Sequence, residues 1–122
     1  MSQLVYQPLT AVECLDVLRN AHVTRAAFCD GERPYVVPMA FHLECEGVTP
    51  LIYLCMPDTG RKVDSLCRCD RVCLEFEEPA CAWVSVVLLE GQAFLDAWEK
   101  GKGLALHVRG EEVSGRRFFL PE

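Results

Sequence analysis

The stretch Asp58-Thr59-Gly60-Arg61-Lys62-Val63-Asp64-Ser65-Leu66 joins a chain break to a helix start, and the rest of the chain falls into place around it. Asp-Thr-Gly is turn chemistry. Val63, Leu66 and Cys67 then recur at i, i+3 and i+4, which predicts a short helix from Arg61 to about Cys69. A helix N-terminus carries partial positive charge and normally favours Asp or Glu in its first turn. Here Arg61 and Lys62 occupy that turn, which costs a little stability unless an anion sits among them. Free backbone N–H groups at such a start form a natural phosphate site. Arg61 has the planar fork to grip phosphate oxygens in pairs, and Lys62 adds a point charge. The plainer reading is that both side chains simply point into water.

On either side of this helix the pattern is β. Leu51 to Cys55 (LIYLC) reads as a short strand reached through a turn-rich connection. Strands are expected downstream at about Arg71 to Glu77, Trp83 to Leu95, Leu104 to Val108 and Val113 to Leu120. Gly101-Lys102-Gly103 reads as a turn between two of them. Upstream, Pro34 to Leu43 (PYVVPMAFHL) alternates as one strand. Pro38 inside it demands an edge, a bulge or a gap, because proline donates no ladder hydrogen bond. Val23 to Cys29 forms a strand closed by the turn pair Asp30-Gly31. Thr10 and Glu13 have capping-box spacing, and Val12, Leu15 and Leu18 predict an amphipathic helix from Thr10 to about Asn20. Small helices against about seven strands joined by short loops point to a mainly β, partly open barrel. With 122 residues and no linker or repeat, one domain spanning 1–122 is expected.

Composition excludes several partners. The net charge is −6, and the Lys and Arg residues are scattered apart from Arg61-Lys62 and Arg116-Arg117, so nucleic-acid binding is not expected. No apolar run, that near Val84 to Leu89 included, is long enough to span a membrane. Met1 to Thr10 shows no secretory pattern, which leaves the cytoplasm as the expected location. Eight cysteines are many for this length. Several lie inside apolar runs (Cys29, Cys55, Cys73), so reduced thiols packed in the core are expected rather than disulfides. Cys67, Cys69 and Cys73 lack the paired knuckles of a structural zinc site, and no metal is expected. His22, His42 and His107 are isolated, and each reads as an exposed or packed residue. Trp83 reads as a core or dimer-packing residue, or as a ring to stack on a cofactor.

In order along the chain stand HVTRAAF (His22 to Phe28), PYVVPMAF (Pro34 to Phe41), IYL (Ile52 to Leu54), GRKVDSL (Gly60 to Leu66), RVCLEFEE (Arg71 to Glu78) and WVSVVLLEGQAFL (Trp83 to Leu95). This series resembles the pyridoxamine 5′-phosphate oxidase-like flavoproteins, nearest the branch of the nitroimidazole-resistance proteins. The resemblance runs over about residues 10 to 96. It implies an FMN-binding split β-barrel of six to seven antiparallel strands with two short helices, working as a homodimer with the flavin near the interface. Val36, Val37, Pro38 and Met39 match the strand lying along the isoalloxazine ring. Arg61 and Lys62 match the phosphate clamp, Leu54 and Cys55 end the strand leading to it, and Ser85 and Val86 match the segment completing the pocket across the interface. The implied function is that of an FMN-dependent oxidoreductase or flavin reductase-like protein of open substrate, with transient NAD(P)H as donor. Its alternatives are a flavin-binding or flavin-sensing protein without turnover, and a cofactor-free dimer keeping only the fold.

Two departures stand out. Many relatives of the nitroimidazole-resistance type carry a histidine where this chain has Cys55, the one weak catalytic candidate. The connection from Asp96 to Gly103 is also shorter than the helical stretch usual there.

Overall fold

The computed structural model describes residues 5–56, 60–97 and 104–120. Thr10 opens the first helix, α1 (Ala11–Asn20). Its hydroxyl accepts from the Glu13 N–H at 3.2 Å, and the Glu13 carboxylate accepts from the Thr10 N–H at 3.0 Å. That is the reciprocal capping box the spacing predicts. The buried face differs from the expected one: Cys14, Leu15, Val17 and Leu18 are buried, whereas Val12 is 61% exposed. At about 100° per residue Val12 falls well beyond Leu15, outside the arc that Cys14, Leu15, Val17 and Leu18 turn to the barrel.

The strands are β1 (Tyr6–Pro8), β2 (Val23–Asp30), β3 (Arg33–Ala40), β4 (His42–Glu46), β5 (Thr49–Met56), β6 (Arg71–Pro79), β7 (Trp83–Ala97), β8 (Leu104–Arg109) and β9 (Glu112–Phe119). The second helix, α2 (Arg61–Arg68), stands between β5 and β6. Neighbours run β3-β2-β6-β7-β8-β5-β4, with β9 on β7 and β1 on β9, and every pairing is antiparallel. This is a split barrel with two small helices. The expected break at Asp58-Thr59 and the turn at Gly101-Lys102-Gly103 lie outside the described residues.

Two strand boundaries differ from the sequence reading. The expected single strand Pro34 to Leu43 is two, because Phe41 leaves the ladder and packs edge-on against Phe76 at 4.9 Å between ring centres. The β2–β3 turn is Gly31-Glu32 rather than Asp30-Gly31: Asp30 pairs with Arg33 as the last strand residue, and Gly31 takes φ +64°. Pro38 sits in β3, which among the described residues pairs only with β2. The edge position that its missing N–H requires is therefore met.

The long strand β7 holds the two halves together. Residues up to Glu90 pair with β9, and from Ala93 onward the strand pairs with β8. Gly91 falls at the change, where a Cβ would be driven into the carbonyl oxygen of Arg109. A glycine there is the ordinary way to bend a strand at a barrel corner. The core inside is formed by Phe76, Leu18, Ile52, Leu54, Leu74, Leu89, Leu106, Val87 and Val108, all fully buried.

The cysteines correct an expectation. All eight are free, but only Cys14 is buried; Cys69 and Cys73 are half-buried and the other five exposed. The reason is strand periodicity. Cys29 follows buried Phe28, Cys55 lies between buried Leu54 and Met56, and Cys73 between buried Val72 and Leu74. An apolar run in a strand buries alternate residues, and these thiols take the outward positions.

Candidate functional site

Gly60 caps α2 without a side chain, at φ +124°, in a region that favours glycine. The first intrahelical bond is Asp64 N–H to the Gly60 carbonyl at 3.1 Å, which leaves the N–H groups of Arg61, Lys62 and Val63 without an intrahelical partner. Among the described residues no side chain caps this turn, which holds Arg61 and Lys62 and, at its end, Asp64. It opens onto a cavity of about 420 Å³ lined by Tyr35, Val36, Val37, Met56, Gly60, Arg61 and Lys62. Farther along β3 a second cavity, of about 450 Å³, is lined by Pro38, Met39, Ala40, Phe41, His42, Tyr53 and Cys55. One edge strand thus runs past both hollows, with the cations at one end and the Cys55 thiol toward the other.

The cation end is rigidly built. The Tyr35 hydroxyl donates to Ser65 Oγ at 2.9 Å, and Ser65 Oγ donates to the Arg61 carbonyl at 2.5 Å, tying β3 to α2 through a fully buried serine. The Arg61 guanidinium lies 4.0 Å above the Tyr35 ring, and that ring stacks on Phe28 at 5.4 Å. Arg61 Nε donates to Asp30 Oδ2 at 2.9 Å, while Arg68 pairs with the other oxygen of Asp30. Hydrogen bonding from Arg61, with Arg68 adding to it, holds the Asp30 carboxyl below the usual aspartate range.

The residues singled out from sequence divide into groups. Val36, Val37, Arg61 and Lys62 meet at the first cavity, and Pro38, Met39 and Cys55 at the second. Cys55 is exposed, so the packed thiol expected of it is not found. Leu54 is fully buried and offers the site only its backbone. Ser85 and Val86 lie elsewhere in the barrel. Ser85 is buried and its Oγ accepts from Arg117 Nε at 3.2 Å. Val86 lines a separate cavity of about 320 Å³ with Glu75, Leu88, Ser114, Arg116 and Phe118. A single chain therefore does not bring these two residues to the β3–α2 site.

Sequence reasoning missed Asp30, Tyr35 and Ser65, which hold Arg61 in place. It also missed a row of rings across four neighbouring strands. Phe94 and His107 stack at 5.3 Å, His107 and Tyr53 lie 6.0 Å apart, and Tyr53 and His42 6.2 Å. His42 and Tyr53 of this row line the second cavity. His42 Nε2 also lies 3.5 Å from the Glu44 carboxylate. His22 is exposed, and Trp83, 38% exposed, has the Arg117 guanidinium 5.7 Å from its ring centre. Among the described residues no group of three or more His, Cys, Asp or Glu is placed to hold a metal ion, and no helix is long and apolar enough to cross a membrane.

The fold is that of an antiparallel split barrel whose edge strand β3 runs beside the start of a helix carrying two cations. A family model described as pyridoxamine 5′-phosphate oxidase matches residues 10–96, and the chain belongs to that family. Solved structures agree on the fold. A candidate 5-nitroimidazole antibiotic resistance protein from Bacteroides thetaiotaomicron superposes with a TM-score of 0.80 at 17% identity, covering 98% of this chain and 95% of that one. An FAD-binding protein from Mesorhizobium loti gives 0.78 at 21% identity, covering 93% and 98%. The FAD binding protein from Mycobacterium smegmatis gives 0.77 at 18%, covering 93% and 99%. A comparison with curated protein sequences returned no match.

Proposed function

We propose that this protein binds FMN along β3, with the phosphate at the start of α2, and works as an FMN-dependent oxidoreductase in the form of a homodimer. The observation that carries the reading is the first turn of α2: N–H groups without an intrahelical partner, no capping side chain among the described residues, and two cations opening onto a cavity. Family membership and the flavin-binding descriptions of two structural relatives support it.

The residues fit the cofactor in kind. Arg61, Lys62 and the α2 amides bind the phosphate. β3 is an edge strand, so backbone groups on its outer side are free to meet the polar edge of a flat ring, while Val36, Val37 and Met39 offer apolar contact. When bound, FMN supplies hydride transfer at N5. The protein's part is to orient the ring and exclude water. NAD(P)H enters only transiently, and the second cavity, with its His42 and Tyr53 rings, is the space left for a flat donor or acceptor. Ser85 and Val86 reach this site only from a second copy, which is why the dimer belongs to the proposal.

A second reading, a flavin holder without turnover, is favoured by one observation. The second cavity presents an exposed Cys55 thiol where many relatives have a histidine. Anaerobic addition of NADH or NADPH to the FMN-loaded protein separates the two readings. Bleaching of the flavin band, reversed by an added acceptor, is expected of the oxidoreductase. A band that neither donor bleaches leaves the holder.

A further inference from the structure

Asp30 lines neither cavity, yet among the described residues it makes the one ion pair of Arg61, a cation that does. Its carboxylate takes the Arg61 Nε on one oxygen and Arg68 on the other, with the Asp30 side chain only 21% exposed. An arginine free in water loses considerable rotamer freedom when it closes on a ligand. Arg61 has already lost it. Nε is fixed by Asp30, and the guanidinium plane lies over Tyr35. Ser65, which accepts from the Tyr35 hydroxyl, donates to the Arg61 carbonyl. Both Nη groups keep their donors unused among the described residues.

The opposing effect is charge: a carboxylate beside a phosphate-binding arginine cancels part of the attraction. Arg68 offsets this, because one negative charge is shared between two guanidinium groups and the trio stays net positive, with Lys62 beside it. Preorganisation is thus set against a repulsion that Arg68 reduces.

We propose that Asp30 is a positioning residue for the anion site, acting through Arg61 to set the preference of this protein for a phosphorylated flavin over an unphosphorylated one. The inference rests on the FMN reading above, and the two fail differently. Titration of flavin fluorescence with FMN and with riboflavin gives a ratio of dissociation constants for each variant of the full chain. Asp30→Asn is expected to weaken FMN about tenfold (about 1.4 kcal/mol) and leave riboflavin unchanged. In an Arg61→Ala background the same substitution is expected to leave the ratio unmoved.

A riboflavin-to-FMN ratio of dissociation constants that Asp30→Asn leaves unchanged or raises in the wild-type background overturns the inference, since the carboxylate is then idle or competing. Equal loss of both ligands makes Asp30 merely structural and overturns it too, as does an undiminished effect without Arg61. A wild-type protein that binds neither flavin, or both equally, overturns the FMN reading itself, and this inference with it.

Discussion

Arg61 shows how much one residue can carry. Its place in the sequence, straight after an Asp-Thr-Gly break, announces a cation at a helix start, and the structure puts it in the cavity wall. Replacing Arg61 and Lys62 together with Ala is expected to weaken FMN by several kcal/mol at most, at about 1.5–3 kcal/mol for each charged hydrogen bond. Circular dichroism should show the fold intact, since neither residue belongs to the core. Asp30 was not legible beforehand: it precedes Arg61 by a whole hairpin and another strand, and nothing local distinguishes it from a turn aspartate. Its pairing has a pH signature. The Asp30 carboxyl is lowered in the folded state, so its stabilising contribution is full above the unfolded value of about 3.9 and is lost as pH falls through the lower folded one. Glu75 runs the other way. Burial raises it in spite of Arg25, so it favours the fold at low pH and ceases to as pH rises through its raised value. Urea midpoints followed downward from pH 5 should therefore fall less steeply for Asp30→Asn than for the wild type.

At the scale of elements, punctuation was more legible than pairing. The Thr10–Glu13 box marks α1 to the residue, and Thr10→Ala is expected to cost about 1 kcal/mol in denaturant unfolding. Strand existence was read correctly for β2 and for β5 to β9, with boundaries moving by a few residues. What failed depended on tertiary contact. Phe41 breaks an apparently continuous strand because the Phe76 ring offers it a place inside, and β1 forms because β9 provides an edge for three residues too few to declare themselves. The cysteines failed for a related reason: hydrophobicity marks a strand, but only the pleat decides which of its faces is wet. Gly91 is the element-scale test. Gly91→Ala must displace the Arg109 backbone or the strand itself, and a loss of about 1–3 kcal/mol is expected in the same unfolding experiment. An unaffected midpoint would mean that β7 does not need its bend.

For the whole molecule, the sequence made the class of fold readable through its ordered segments, but not the order of strands in space. That order decides which predicted residues meet. Val36, Val37, Arg61 and Lys62 converge because β3 is an edge beside α2, and Pro38 and Met39 line the next hollow along the same strand, whereas Ser85 and Val86 are carried away on the long central strand. The proposed reading has a second copy complete the site, and sedimentation velocity should find a dimer of the 122-residue chain. The central claim, that the α2 start and β3 hold FMN, is tested most directly by the visible absorbance of protein loaded with excess FMN and then desalted. The account predicts oxidised-flavin bands that stay with the wild-type protein and are largely lost from the Arg61→Ala, Lys62→Ala double variant. Wild-type protein that emerges colourless, or a double variant as yellow as the wild type, would contradict it.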